Sequence, residues 1–304
     1  MCIRDRPAAA AVRAALAEGP PLGVPVSVTQ VDPAYVAGEE TAAVRAVDGG
    51  AALPATKPPR PFEQGVAGRP TAVLNAETLA HLPGIAAHGP AWFREHGTPD
   101  APGTFLATIS GAVTRPGLYE LPVGTGVRAA IEATAGFDGP PRGVLLAGYF
   151  GGVLGPRALD LHLDPDALRV AGTGLGCGAV VVLGPADCPV GAAADVMAYF
   201  ARESSGQCGP CVRGTAAMAG VLAELGRGAA AREDVERLQG WSQSLPGRGS
   251  CGLLDGAAAM AGALLREHPE AAEAHLAGTC PSCRDRTPDP DRFAVPAVFS
   301  PSPA

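Results

Sequence analysis

Two thiols spaced two residues apart in Ser-Gly-Gln-Cys208-Gly-Pro-Cys211, answered after 39 intervening residues by Cys251 in Gly-Arg-Gly-Ser-Cys-Gly, constrain this fold more than any other feature. Such a pair with one distant partner is how proteins hold iron–sulfur clusters. Whatever the chain folds into, it must therefore carry position 251 back to the 208–211 loop. Pro210 stiffens that loop, while Gly206 and Gly209 let the backbone approach an inorganic core. A cluster needs four ligands, and this frame supplies three.

Composition narrows the alternatives. Eight cysteines in 304 residues are too few for a disulfide scaffold, and their concentration in the C-terminal third points to a metal in a reducing compartment, hence a cytoplasmic protein. Cys2, Cys177 and Cys188 stand alone and read as small apolar residues. The net charge of −7 comes without any Lys/Arg run, so neither nucleic acid nor anionic lipid is an expected partner. No apolar stretch reaches the ~20 residues of a membrane span, and no segment reads as a signal peptide.

Residues 1–100 mix a helix over Ala8–Glu18, an alternating strand over Val26–Val31, a helix over Glu39–Val47 and a Pro-rich crossing over Leu53–Phe62. Between 101 and 188 the pattern changes to strands at Thr104–Ser110, Gly117–Leu121, Val144–Leu146 and Val180–Leu183 with a helix at Val127–Ala135, a compact β-grasp unit. From 189 to 285 apolar positions recur at helical spacing in Ala192–Arg202, Val212–Leu225, Ala231–Ser244 and Ala257–Arg266, with another helix ending near His275. The cysteines then fall at helix ends, where N-terminal dipoles favour anionic thiolates. The Pro- and Asp-rich tail from 286 to 304 reads as disordered. The fold class is α+β and multidomain: a partial α/β region, a β-grasp domain and a C-terminal helical bundle.

Glu203-Ser-Ser-Gly-Gln-Cys-Gly-Pro-Cys211 resembles the E-S-C-G-x-C-x-P-C loop of the NADH-binding flavoprotein subunit of respiratory complex I and its relatives among NAD-reducing hydrogenases and formate dehydrogenases. Tyr35-Val-Ala-Gly-Glu-Glu-Thr41 is similar to that family's Y-I-C-G-E-E-T, Lys57-Pro-Pro-Arg-Pro61 to its K-P-P-x-P, and Thr71–Leu79 to its V-N-N-V-E-T-L. Residues 103–152 resemble its soluble-ligand-binding β-grasp (SLBB) domain. The resemblance implies one [4Fe–4S] cluster on Cys208, Cys211 and Cys251, and an oxidoreductase role in passing electrons from NADH through FMN to a partner. It places Gly38, Glu39 and Glu40 against nicotinamide and flavin, and Asn75 on the flavin. It also implies other redox subunits as partners, such as a thioredoxin-like ferredoxin.

This chain departs from the family at several points. Nothing in the first 34 residues resembles the glycine-rich flavin loop, so an incomplete flavin site is expected; Met1–Arg6 match no part of the family. Ala37 replaces a cysteine and Leu74 an asparagine. Ser205 occupies the first cysteine position of the cluster loop, and a neutral hydroxyl is a poor cluster ligand. Cys280 of Cys280-Pro-Ser-Cys283 is expected to supply the fourth donor, with His275 or an open position as alternatives. A zinc site joining Cys208-x-x-Cys211 to Cys280-x-x-Cys283 competes with the cluster. The six histidines show no paired metal-ligand spacing. Gly148–Gly155 lacks the residues of a phosphate loop and reads as β-grasp turns. The rival functional class is a non-catalytic binding module whose metal only pins the bundle.

Overall fold

The structure, a computed structural model, describes residues 2–3, 5–20, 23–280, 282–283 and 286–293. Its first strands, β1 (Cys2–Ile3) and β2 (Thr29–Gln30), pair in parallel around helix α1 (Arg6–Glu18). Of the strand expected over Val26–Val31, the described residues form only β2, paired with Cys2 and Ile3. Helix α2 (Glu40–Val47) starts where the Glu39 carboxylate accepts hydrogen bonds from the N–H groups of Thr41 and Ala42.

Helix α3 (Ala76–Phe93) has no counterpart in the periodicity, and its sequence explains why. Pro83 and Pro90 lie inside it, and it breaks at Gly89, whose φ is 82°. Pro90 then begins a second helical segment, a position where its missing N–H is harmless. None of its residues is buried.

The β-grasp unit contains β3 (Thr104–Gly111), β4 (Gly117–Pro122), α4 (Val127–Ala133), β5 (Gly143–Leu146), β6 (Val153–Leu154), α5 (Pro165–Val170) and β7 (Ala179–Leu183). Its mixed sheet runs β4-β3-β7-β5-β6, with β7 parallel to β3 and antiparallel to β5. In β3 the alternation is regular, with Phe105, Ala107 and Ile109 buried. By contrast, β5 and β7 read as unbroken apolar runs because both of their faces are covered. Val144, Leu146, Val180 and Val182 pack into the β-grasp core, whereas Leu145, Val181 and Leu183 pack into the core of the helical bundle.

The bundle follows as α6 (Pro189–Arg202), α7 (Gly209–Gly226), α8 (Arg232–Ser244), α9 (Leu253–Glu267) and α10 (Pro269–Leu276). Phe200, Met218, Leu222, Met260 and Leu264 are fully buried among these helices. Helices α6 and α7 run antiparallel: Gly191 and Ala194 at the start of one share a small cleft with Leu222 and Gly226 at the end of the other. The turn from β5 to β6 leans on this bundle. Gly152, with φ 81°, lies so close to Ala263 of α9 that a Cβ would collide with it. Gly148–Gly152 thus forms the turn before β6, while Val153 and Leu154, expected as part of the turns, are that strand.

Residues 286–293 correct the expectation of a disordered tail. Asp195 of α6 is 1% exposed. It receives Arg286 at 2.5 Å, Arg292 at 2.9 Å and the N–H of Asp289 at 2.7 Å. Arg292 also pairs with Asp187, and Arg202 holds Asp291 at 2.8 Å. A buried carboxylate demands compensation, and this segment supplies it. The expected disorder over 294–304 lies outside the described residues.

Candidate metal centre

The cluster loop is built at the meeting of two helix N-termini. Cys208 is the N-cap of α7, Cys211 sits in its first turn, and Cys251 immediately precedes Gly252, the N-cap of α9. Gly206 takes a φ of 74°, turning the chain from Glu203 back into α7. The Cys208 thiol lies 3.3 Å from Ser250 Oγ and accepts from the Ser250 N–H at 3.4 Å, which ties α7 to the residue beside Cys251. Ser204 Oγ lies 3.6 Å from Cys211 Sγ. Burial raises the Cys211 thiol pKa, against the Ser204 contact, and the nearby Cys251 and Cys208 raise it further. Burial likewise raises Cys251, opposed by the Leu253 N–H and reinforced by Cys208 and Glu39. These three thiols therefore lie within electrostatic reach of one another.

The donor set fits an iron–sulfur centre. Buried or half-buried thiols at helix N-termini, with a backbone N–H aimed at sulfur, are the features that stabilise thiolate ligands and tune such a cluster. Ser205 is the point of disagreement. Its Oγ accepts from Gln207 Nε2 at 3.4 Å, and the same amide donates to Pro54 O at 3.0 Å. The N-terminal region thus lies over the loop, an arrangement repeated where the Tyr35 N–H donates to Glu203 Oε2 at 2.9 Å.

Of Gly38, Glu39 and Glu40, it is Glu39 that comes within electrostatic reach of Cys251. Lys57 Nζ stands 2.6 Å from Glu39 and 3.1 Å from Glu40. Burial opposes ionisation of Glu39, but the Lys57 ammonium, Thr41 and the Ala42 N–H together hold its pKa below the usual value. The hydrogen bond to Glu39 raises Lys57. Gly38 is exposed with open space around it. Asn75 is exposed and serves as N-cap of α3, its Oδ1 accepting from the Glu77 N–H at 2.8 Å.

Cys280 does not join Cys208, Cys211 and Cys251. It lines a small cleft with Gly226, Arg227 and Gly228, at the far end of an 18-residue helix from Cys208. At 1.5 Å per residue, α7 spans roughly 27 Å, far beyond the reach of one cluster. Cys280 lies instead 3.9 Å from Cys188, in a group with Cys283 and His275 whose ligand atoms all fall within 4.8 Å of one another. The separation also excludes a zinc site joining Cys208-x-x-Cys211 to Cys280-x-x-Cys283. Cys188, read from sequence as an isolated apolar residue, is the N-cap of α6 and part of this quartet. Sequence spacing gave no sign of the link, because 87 residues separate Cys188 from His275. Hydrogen bonding from Cys283, with help from His275 and the Gly191 N–H, lowers the Cys188 thiol pKa, and that contact raises Cys283.

Residues 191–275, which include the α7 loop and Cys251, match the model of the NADH-ubiquinone oxidoreductase-F iron-sulfur binding region, and residues 106–148 match the SLBB domain. The chain is a homologue of the F subunits of NADH-quinone oxidoreductases. The F 2 subunit of the Rhizobium meliloti NADH-quinone oxidoreductase is 37% identical over 246 residues, covering 80% of this chain and 58% of that protein. The NADP-reducing hydrogenase subunit HndC of Solidesulfovibrio fructosivorans is 34% identical, covering 72% of this chain and 46% of its own length. A solved structure titled NAD+-reducing [NiFe]-hydrogenase in the H2-reduced state superposes with a TM-score of 0.77 at 32% identity, over 88% of this chain and 45% of that one. The chain thus spans little more than half the length of the F subunits it matches. The match covers both the β-grasp domain and the iron–sulfur region, in the same order as the resemblance implied. Among the described residues, no helix is long and apolar enough to cross a membrane.

Proposed function

We propose that this chain is an electron-transfer subunit whose [4Fe–4S] cluster is held by Cys208, Cys211 and Cys251, with Ser205 at the fourth corner. The observation that carries the reading is the gathering of these three thiols at the N-termini of α7 and α9, inside the region that matches the F-type iron–sulfur model. When bound, such a cluster exchanges one electron at a time with a two-electron carrier.

The protein's part is placement. Burial excludes water from Cys211, the Ser250 N–H donates to Cys208, and Pro54 and Tyr35 clamp the loop through Gln207 and Glu203. Gly38, Glu39 and Glu40 lie on the side from which a nicotinamide or flavin would approach, and the Glu39–Lys57 pair sets the charge there. Asn75 belongs to the same proposed cofactor surface. The electron acceptor is another redox subunit, of thioredoxin-like ferredoxin type, and the setting is the cytoplasm.

Anaerobically purified chain should carry iron and sulfide, absorb broadly in the visible and give an electron paramagnetic resonance signal on dithionite reduction. Cys208→Ala and Cys211→Ala should abolish that signal. A colourless, iron-free wild-type chain would refute the reading. Oxidation of NADH with an artificial acceptor tests the cofactor surface separately from the cluster.

A further inference from the structure

Four donors far from the cluster loop surround one point. Cys188 Sγ lies 3.6 Å from His275 Nε2 and 3.9 Å from Cys280 Sγ, and Cys283 completes the set within 4.8 Å. Zinc–sulfur bonds of ~2.3 Å and zinc–nitrogen bonds of ~2.0 Å in a tetrahedron imply S···S edges of about 3.8 Å and S···N edges of about 3.5 Å. Those edges agree with the observed separations, whereas a cubane cluster holds its thiolates further apart than a single ion does.

The surroundings are those of a ligand set. His275 and Cys283 are 2% and 3% exposed. The second ring nitrogen of His275, Nδ1, lies 2.7 Å from Ala271 O. A proton on Nδ1 donated to that carbonyl leaves Nε2 with a lone pair facing the sulfurs, the outer hydrogen bond that metal-binding histidines characteristically make. Cys188 sits at the N-terminus of α6, where the helix favours a thiolate.

We propose that Cys188, His275, Cys280 and Cys283 form a structural zinc site, separate from the iron–sulfur loop and independent of the electron-transfer reading. Four protein donors leave no open position, so the ion is structural rather than catalytic. It joins three points distant in sequence: the junction between β7 and α6, the last turn of α10, and the segment that continues to the Asp195 contacts. The site therefore locks the end of the bundle onto the boundary with the β-grasp domain.

The test is metal analysis of the full chain, with zinc and iron measured together. Wild type should carry one zinc, and Cys188→Ser or Cys283→Ser should lose it while iron stays unchanged. Cobalt(II) added to metal-free chain should give the intense visible bands of a tetrahedral thiolate site, absent from Cys283→Ser. If the serine variants fail to fold, His275→Cys decides, because it keeps four donors: zinc should be retained and the cobalt bands should shift toward those of an all-thiolate site. A wild-type chain with no zinc and a featureless cobalt spectrum overturns the proposal. Loss of iron rather than zinc from Cys283→Ser overturns it equally, by assigning the quartet to the cluster.

Discussion

Ser205 and Lys57 show how single side chains set the character of the cluster region. A hydroxyl at the proposed fourth corner would be a weaker donor than a thiolate, because its ionisation needs far more basic conditions. Ser205→Cys should therefore raise iron and sulfide per chain in anaerobically purified protein, and unchanged iron would argue that another group completes the site. Lys57 acts through charge. Since Glu39 is held below its ordinary value of 4.5, the stability gained from the pair is complete above that pH and fades as pH falls through the lowered pKa. Lys57→Met should cost about 1 kcal/mol near neutral pH, as a partly screened ion pair does. In urea titrations the variant and wild type should converge as the solution is acidified into the range where Glu39 protonates in the folded state.

The elements of the β-grasp unit and the bundle were largely legible in the sequence because each carries one dominant period. Thr104–Ser110 alternates, and Ala192–Arg202 repeats at helical spacing; for these two the structure differs only at the ends, extending α6 back to Pro189 and β3 to Gly111, whereas β6 and α5 had no counterpart in the sequence reading. Helix α3 was illegible because its prolines imitate loop punctuation. The proposed Cys208, Cys211 and Cys251 frame shows in the sequence because two of its members are neighbours. The quartet around Cys188 could not, since chain folding alone brings position 188 to positions 275–283. Close approach between elements is equally hidden from pattern reading, and Gly152 is the clearest case. Gly152→Val would add both a strained positive φ and a collision with Ala263 of α9. It should destabilise the chain by roughly 1–3 kcal/mol, visible as a lowered melting temperature.

The whole molecule depends on its C-terminal segment more than composition suggests. Arg286, Asp289 and Arg292 together neutralise and solvate Asp195, so removing residues 286–304 would strand a buried carboxylate. Such a truncation should lower stability by about 3–5 kcal/mol. Asp195→Asn in the truncated chain should recover part of that loss in urea unfolding, and an absence of recovery would point to packing, such as that of Phe293, as the cause. The strands β5 and β7 have a related effect on the relation between domains. Because Leu145, Val181 and Leu183 face the helices while Val144, Val180 and Val182 face the other way, one sheet serves as a party wall between two apolar rooms. The motif boundary near residue 188 is consequently no seam: a calorimeter should register the β-grasp unit and the bundle melting in a single event, and neither half expressed alone should stay soluble.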